Sequence, residues 1–267
     1  ILNKKSFMKI IKKLYNNFIT GIYKVDFIRT VVVLLRFIYL YYVKKNIKYY
    51  SKPEERNENH IEVHRDNKKH TVISHNMHFV ENLKNLKKTY KKFNGSKTAS
   101  LIYPFKAIDF IDYKKNKILS VGPRNEGELF LIRSLGFNWK NIYSIDLISY
   151  SSLTDLGDIH KSFYSDSSFD QIVCGWVLTY SNNFEKILEE MLRIVKNKGI
   201  ISIGFSYAPK HDGDKRVYGE GITALDSTEQ ILKKYENNIE HVYFNFDAKK
   251  NDPLQKRHSI LILRVKK

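Results

Sequence analysis

The chain has almost no cysteine. Cys174 stands alone among 267 residues, which excludes an internal disulfide and any cysteine-built zinc site. A reducing, cytoplasmic setting is the simpler expectation from that usage. Long apolar runs are missing too. The densest, Val31 to Val43, spans 13 residues and has Arg36 inside it, whereas a bilayer-crossing helix needs about 20 apolar residues. A transmembrane helix is therefore not expected. The run fits a helix lying in a membrane interface, with Tyr39, Tyr41 and Tyr42 at the polar boundary, and it equally fits a cap over a neighbouring domain. Ile1 is not a methionine, so no targeting signal is read at the N-terminus. No repeat and no low-complexity segment is present.

Acidic residues are scarce in the first part. Residues 1–116 hold 25 Lys+Arg against 9 Asp+Glu, a balance of +16 out of the total +18; the remaining residues hold 21 (46 − 25) against 19 (28 − 9), a balance of +2. A basic front segment thus precedes a nearly neutral domain. Its partner could be an anionic membrane surface, a nucleic acid or an anionic substrate, or its lysines could be solvated surface. We draw the boundary as residues 1–110, a basic and mainly helical segment, and residues 111–267. The first 43 residues have spacing that suits basic amphipathic helices, residues 51–70 read as a polar linker, and residues 76–93 read as a helix stopped by Asn94-Gly95-Ser96.

After residue 116 strand and helix signals alternate. Lys117 to Val121, Asn141 to Asp146, Phe169 to Cys174 and Gly199 to Phe205 read as strands, and Glu128 to Leu135 and Phe184 to Val195 as helices. Ser227-Thr228-Glu229-Gln230 has capping-box spacing and opens a helix through Tyr235. His241 to Phe246 and Ser259 to Val265 read as a closing strand pair. The expected fold is α/β, Rossmann-like, with a seven-stranded mostly parallel sheet and flanking helices. Ligands of such sheets sit outside the C-terminal strand ends.

The first of those ends is Val121-Gly122-Pro123-Arg124-Asn125-Glu126-Gly127, where glycine permits a sharp turn and close backbone approach to a ligand. Asp146 closes the next strand 24 residues after Gly122, where a carboxylate can accept both hydroxyls of a ribose. Leu156-Gly157-Asp158-Ile159-His160 follows, then Ser168-Phe169-Asp170, Val177-Leu178, Glu190, Arg193, and Ile194-Val195-Lys196-Asn197-Lys198-Gly199 leading into a strand.

In order and spacing this run resembles the class I S-adenosylmethionine-dependent methyltransferases, in particular their small-molecule branch, over residues 117–205 and more loosely to the C-terminus. The resemblance implies S-adenosylmethionine as cofactor. It puts Gly122 beneath the methionine part, Asp146 and the adjoining Leu147 at the ribose, Asp158 at the adenine amino group and Ile159 on the ring. Cys174 to Val177, Gly175 among them, would border the transfer centre. One departure stands out: the family's acidic residue two before the first glycine is Ser120 here, and the second glycine of its Gly-x-Gly is Arg124. Glu126 or Glu128 would then supply the carboxylate, and Arg124 would grip an anionic group.

Methyl transfer demands positioning and exclusion of water, with a general base if the acceptor is a hydroxyl. His160, Tyr180, His211 and Asp212 are the candidates for that catalytic role. No Asp/Asn-Pro-Pro-aromatic motif follows the fourth strand, which argues against adenine or glutamine N-methylation. His60/His64 and His75/His78 have helix-face metal spacing, but no carboxylate pattern completes a site, and no metal is expected. The expected function is O-methylation of a small molecule or glycan, in the cytoplasm or at a membrane face. An RNA methyltransferase using the basic segment and a non-catalytic binding protein are the alternatives. The front segment is expected to act as cap or docking element and to contribute little to cofactor binding.

Overall fold

The computed structural model describes residues 21–51, 60, 62–65, 68–70, 93, 95, 98–207, 215–217, 224–253 and 257–267. Its centre is a seven-stranded sheet, numbered here β1 (Ile118–Val121), β2 (Ile142–Asp146), β3 (Asp155–Leu156), β4 (Phe169–Gly175), β5 (Val195–Tyr207), β6 (Ile239–Phe246) and β7 (Arg257–Val265). The order across the sheet is β6-β7-β5-β4-β1-β2-β3. Strands β3, β2, β1, β4 and β5 run parallel, and β7 is antiparallel to both β5 and β6. This is the mostly parallel Rossmann-like sheet expected, closed by one reversed strand.

Successive residues of the central strands alternate between two buried faces. Leu119, Ile172, Cys174, Ile201 and Leu263 point into one apolar cluster, and Ile118, Val173, Ile200 and Ile262 into another. Period-2 alternation with both sets apolar is what a sheet covered on both sides requires. Helix α4 (Phe184–Ile194) covers the first face through Ile187, Leu188, Met191 and Ile194, one stripe at helical spacing. Asn183 caps it, its side chain accepting from the Lys186 N–H at 3.0 Å. Helix α5 (Thr228–Lys234) opens with the capping box read from sequence, on Ser227 and Gln230. Glu190 and Arg193 prove structural. Arg193 bonds Glu190 at 2.8 Å, Asp166 at 2.5 Å and the Tyr164 carbonyl at 2.7 Å, pinning the chain that enters β4.

The second face is covered by α2 (Ala99–Ile102) and α3 (Gly127–Ser134). Leu101, Ile102, Phe105 and Ile108 all belong to this cluster, so packing crosses the expected boundary at residues 110/111. Helix α1 (Asp26–Phe37), continued by a π-helical turn at Ile38–Val43, also lies on the domain. Its Val33 and Phe37 form a third cluster with Phe93, Phe130 and Tyr150. The expected amphipathic pattern is seen in α1, with its polar side turned toward the domain: Arg29 pairs with Asp26 and Arg36 with Glu126, while Phe27, Ile28, Val31 and Leu35 lie exposed on the other side.

Residues 51–70 depart from the linker reading. Glu62–Arg65 and Lys68–His70 are strands, and the first also pairs antiparallel with Lys215–Val217 from beyond β5. Their sequence is mostly polar, so it carries no apolar alternation to signal a strand. Lys48–Tyr49 similarly pairs with Ile148–Ser149. The expected helices before residue 21 and at 76–93, and the Asn94-Gly95-Ser96 stop apart from Gly95, lie outside the described residues.

Candidate cofactor and methyl-transfer site

A cavity of about 320 Å³ opens at the C-terminal ends of β1, β2, β3 and β4. That volume suits a nucleoside-sized ligand. Its floor is Gly122. This glycine has φ +65°, and a Cβ there would lie 2.3 Å from the Val177 methyl. Any other residue would be both strained and in collision. Two non-glycine residues beside it also adopt positive φ, Arg124 (60°) and Trp176 (68°). Such conformations persist only where surrounding structure holds them, and they gather at functional sites.

The turn at Arg124 has a visible purpose. Its N–H donates to Asp146 Oδ2 at 3.0 Å, while the Ile148 N–H donates to Asp146 Oδ1 at 3.3 Å. The carboxylate is thereby held at the rim with lone pairs to spare. Burial raises its pKa despite these bonds.

Asp158 lies in the cavity wall, and two groups hold it. The His160 N–H reaches Asp158 Oδ1 at 2.9 Å, and His160 Nδ1 lies 2.6 Å from the same oxygen. His160 Nε2 lies 2.7 Å from the Ser181 hydroxyl, which itself accepts the Asn183 N–H at 2.9 Å. Both ring nitrogens of His160 are thus engaged, Nδ1 by the carboxylate and Nε2 by the Ser181 hydroxyl. Burial works against the Asp158 charge, but the His160 bonds outweigh it and hold the carboxyl down at about 2.

His60 approaches from the other side. Its ring meets His160 edge-on at 5.1 Å, its carbonyl accepts from Asn182 at 3.0 Å, and its Nδ1 is buried with no hydrogen-bond partner. Burial drives its pKa down to about 4, so it sits in the wall neutral. Ligating atoms of His60, Asp158 and His160 all lie within 4.8 Å of one another, the one such group among the described residues.

Glu126 and Glu128 face different ways. Glu126 turns from the cavity. Its carboxylate takes two bonds from Arg36, Nε to Oε2 at 2.6 Å and Nη2 to Oε1 at 2.7 Å, and a third from Ser151. Glu128 lines the cavity, buried, with its Oε1 accepting from the Ser120 hydroxyl. Where the strand lacks a carboxylate, the following helix thus returns one to the same spot, and a hydroxyl on the strand holds it.

Residues 132–203 match the family model described as a methyltransferase domain. Over this stretch the chain is similar to methyltransferase domains. Among solved structures it is similar to the carbon methyltransferase CurJ (12% identity, 64% of this chain and 54% of that chain, TM-score 0.46). It is also similar to an S-adenosylmethionine-dependent methyltransferase from Methanosarcina mazei (13%, 60% and 96%, 0.42) and to the [4+2]-cyclase SpnF (14%, 57% and 74%, 0.40). No curated protein matches the chain.

The fold brings Gly122, Arg124, Asp146, Leu147, Asp158, Ile159, Gly175 and Tyr180 of the expected site residues to one cavity. Three expected residues are not in its wall. Glu126 is taken by Arg36. Cys174 points into the core beneath the sheet, fully buried, because the strand's alternation exposes Gly175 and not its neighbour. His160 stands behind Asp158 with both ring nitrogens engaged, which removes it as a general base. His211 and Asp212 lie outside the described residues. The sequence reading missed Thr98 and His60 as wall residues, whereas Trp176 and Val177 line it as expected. Thr98 packs over Gly175, where a Cβ would meet its methyl at 2.7 Å, and no local signal foretells that contact.

Proposed function

We propose that the domain methylates a hydroxyl of a small molecule or glycan. Asp146 would accept the ribose hydroxyls of S-adenosylmethionine, Asp158 the adenine amino group, and Glu128 the α-ammonium. The Glu128 assignment carries the reading. A buried carboxylate, oriented by the Ser120 hydroxyl at the cavity floor, answers the one departure from the family pattern. Those three acceptors match the three donor groups of the cofactor, and Gly122 leaves room for backbone to lie against it.

When bound, the cofactor supplies an electrophilic methyl group on a sulfonium. The chain's own work is positional. Gly175, Trp176 and Val177 form the wall beside the transfer centre and exclude water from it, which strengthens every polar contact inside. Tyr180, also in the wall, would hydrogen-bond the acceptor hydroxyl and pass its proton on to solvent at the cavity mouth, since a phenol relays a proton and does not keep it. Small-molecule and glycan acceptors are favoured because the described wall is mostly apolar with few polar groups and contains no acidic-or-amide Pro-Pro turn to hold an adenine or glutamine amide.

Calorimetric titration with S-adenosylhomocysteine tests the cofactor part, with micromolar-range affinity expected, on the order of −8 kcal/mol. Glu128→Gln should weaken it on the order of tenfold or more, the scale of a charge-assisted bond. Incubation with methyl-labelled cofactor, separately with cell glycans and small metabolites and with total RNA, tests the acceptor. Label in the first fraction supports the reading; label confined to RNA overturns it.

A further inference from the structure

The outer side of α1 holds a second feature. Buried residues follow one side, Arg29, Thr30, Val33 and Phe37, and the opposite side is exposed and more apolar. Phe27 is 65% exposed and Leu35 61%, Val31 and Ile38 fall between and beyond them at helical spacing, and the ridge ends at Tyr42 and at Val43, 67% exposed. An apolar helix face is normally covered. Among the described residues this ridge is not. Its length, from Phe27 to Val43, is about 24 Å at helical rise.

Charge surrounds the ridge without interrupting it. The two arginines of α1 are paired inward, to Asp26 and Glu126, so neither offers a free charge along the exposed line. Lys24 stands at one end, and Lys44, Lys45 and Lys48 stand exposed at the other, with the Lys44 ammonium 5.5 Å above the Tyr39 ring. Residues 1–50 contain 11 Lys+Arg and a single acidic residue, Asp26. No described helix is long and apolar enough to cross a membrane.

We propose that this ridge docks on an anionic lipid bilayer, with α1 lying in the plane of the interface. Phe27, Val31, Leu35 and Ile38 would enter the boundary between headgroups and acyl chains, Tyr39 and Tyr42 would sit at headgroup level, and the lysines at both ends would meet lipid phosphates. An apolar stripe flanked by cations is the combination such a surface selects. A protein partner would gain from the stripe but would not need an acid-free, lysine-rich surround. Docking would hold the methyltransferase cavity close to the membrane face and so bias the acceptor toward lipid-linked or surface-bound molecules.

The test is flotation of the full chain with phosphatidylcholine vesicles, with and without phosphatidylglycerol. Flotation with the anionic vesicles that survives in part at high salt is expected, because apolar burial is insensitive to screening. Phe27→Glu/Leu35→Glu should reduce it on the order of tenfold or more while S-adenosylhomocysteine affinity stays unchanged, which separates docking from folding. Should that variant fail to fold, Leu35→Cys carrying an environment-sensitive fluorophore reports directly, since Cys174 is buried and takes no label. Its emission should shift to the blue on anionic vesicles. The proposal is overturned by absence of flotation, by flotation indifferent to the paired substitution, by a label that does not shift, or by a dimer in sedimentation that the same substitution abolishes.

Discussion

Arg36 and Glu126 are joined by two parallel hydrogen bonds, 2.6 and 2.7 Å long, although 90 residues separate them in sequence. The pair fastens α1 to the loop that leads from the cofactor floor into α3. Bonding to Glu126 raises the Arg36 pKa, so the guanidinium stays charged. The front segment is therefore packed onto the domain it was expected merely to cap.

Arg36→Ala should destabilise the chain by about 2–3 kcal/mol, below the full cost of breaking a buried pair because the arginine is half-exposed. The loss comes mainly from leaving the buried Glu126 charge alone with Ser151. Urea unfolding measures it. Glu126→Gln in the Arg36→Ala background should recover part of the loss, and no recovery would mean that packing, not charge, makes the link.

His160 is predicted to act on the cofactor only through Asp158. His160→Ala should weaken S-adenosylhomocysteine binding on the order of tenfold, the value of one charge-assisted bond. His160→Asn, whose amide N–H can replace Nδ1–H, should restore most of it. An analogue lacking the adenine 6-amino group should show no difference among the three proteins. If all ligands weaken equally, His160 merely supports the fold.

Low pH should loosen the contact made by His60. Its folded pKa is depressed by burial to about 4, against 6.5 ordinarily, so between these values the unfolded chain binds a proton that the folded chain refuses. Stability then rises with pH through this window and falls away as pH drops from about 6.5 toward 4, by up to roughly 3 kcal/mol. His60→Asn should flatten that slope. Chemical denaturation at pH about 5 and about 7 compares the two chains, and identical slopes would place the titrating group elsewhere.

Cys174 should be inert. Burial pushes its thiol up to about 12 and leaves it no access. A thiol reagent should modify the native chain only as fast as it unfolds and should react at once in denaturant. Rapid native reaction, prevented by S-adenosylhomocysteine, would return Cys174 to the cavity wall.

Gly122→Ala should weaken cofactor binding and stability together, because the new Cβ meets Val177 and φ stays positive. The strain alone costs about 1–2 kcal/mol. Adding Val177→Ala removes the collision but not the strain, so thermal melting should show partial rescue.

Much of this protein was legible before folding. Periodicity alone placed β1, β2, β4 and β5, the stripe of α4 and the capping box at Ser227, because each depends on neighbours within a few residues. Strand ends then located Gly122, Asp146 and Asp158, since an open α/β sheet has one edge where backbone and side chains converge on a ligand. Resemblance supplied the cofactor.

What the sequence by itself could not determine are choices between equals. Glu126 and Glu128 are the same residue type two positions apart at the start of a helix. Which one faces the cavity depends on the turn at Gly122 and on Arg36 claiming the other. The alternation of β4 exposes Gly175 and buries Cys174, a matter of strand register. His60 joins the wall because its backbone bridges to Ser181 and accepts from Asn182, 122 residues away, and its polar surroundings gave no local sign of that pairing. The ridge on α1 follows the same rule: 13 apolar residues announce a buried helix, but only tertiary packing decides which side is covered and which is left facing outward. Local pattern fixes the elements, being set by short-range sterics and burial period, whereas contacts between distant segments decide which of several similar side chains does the work.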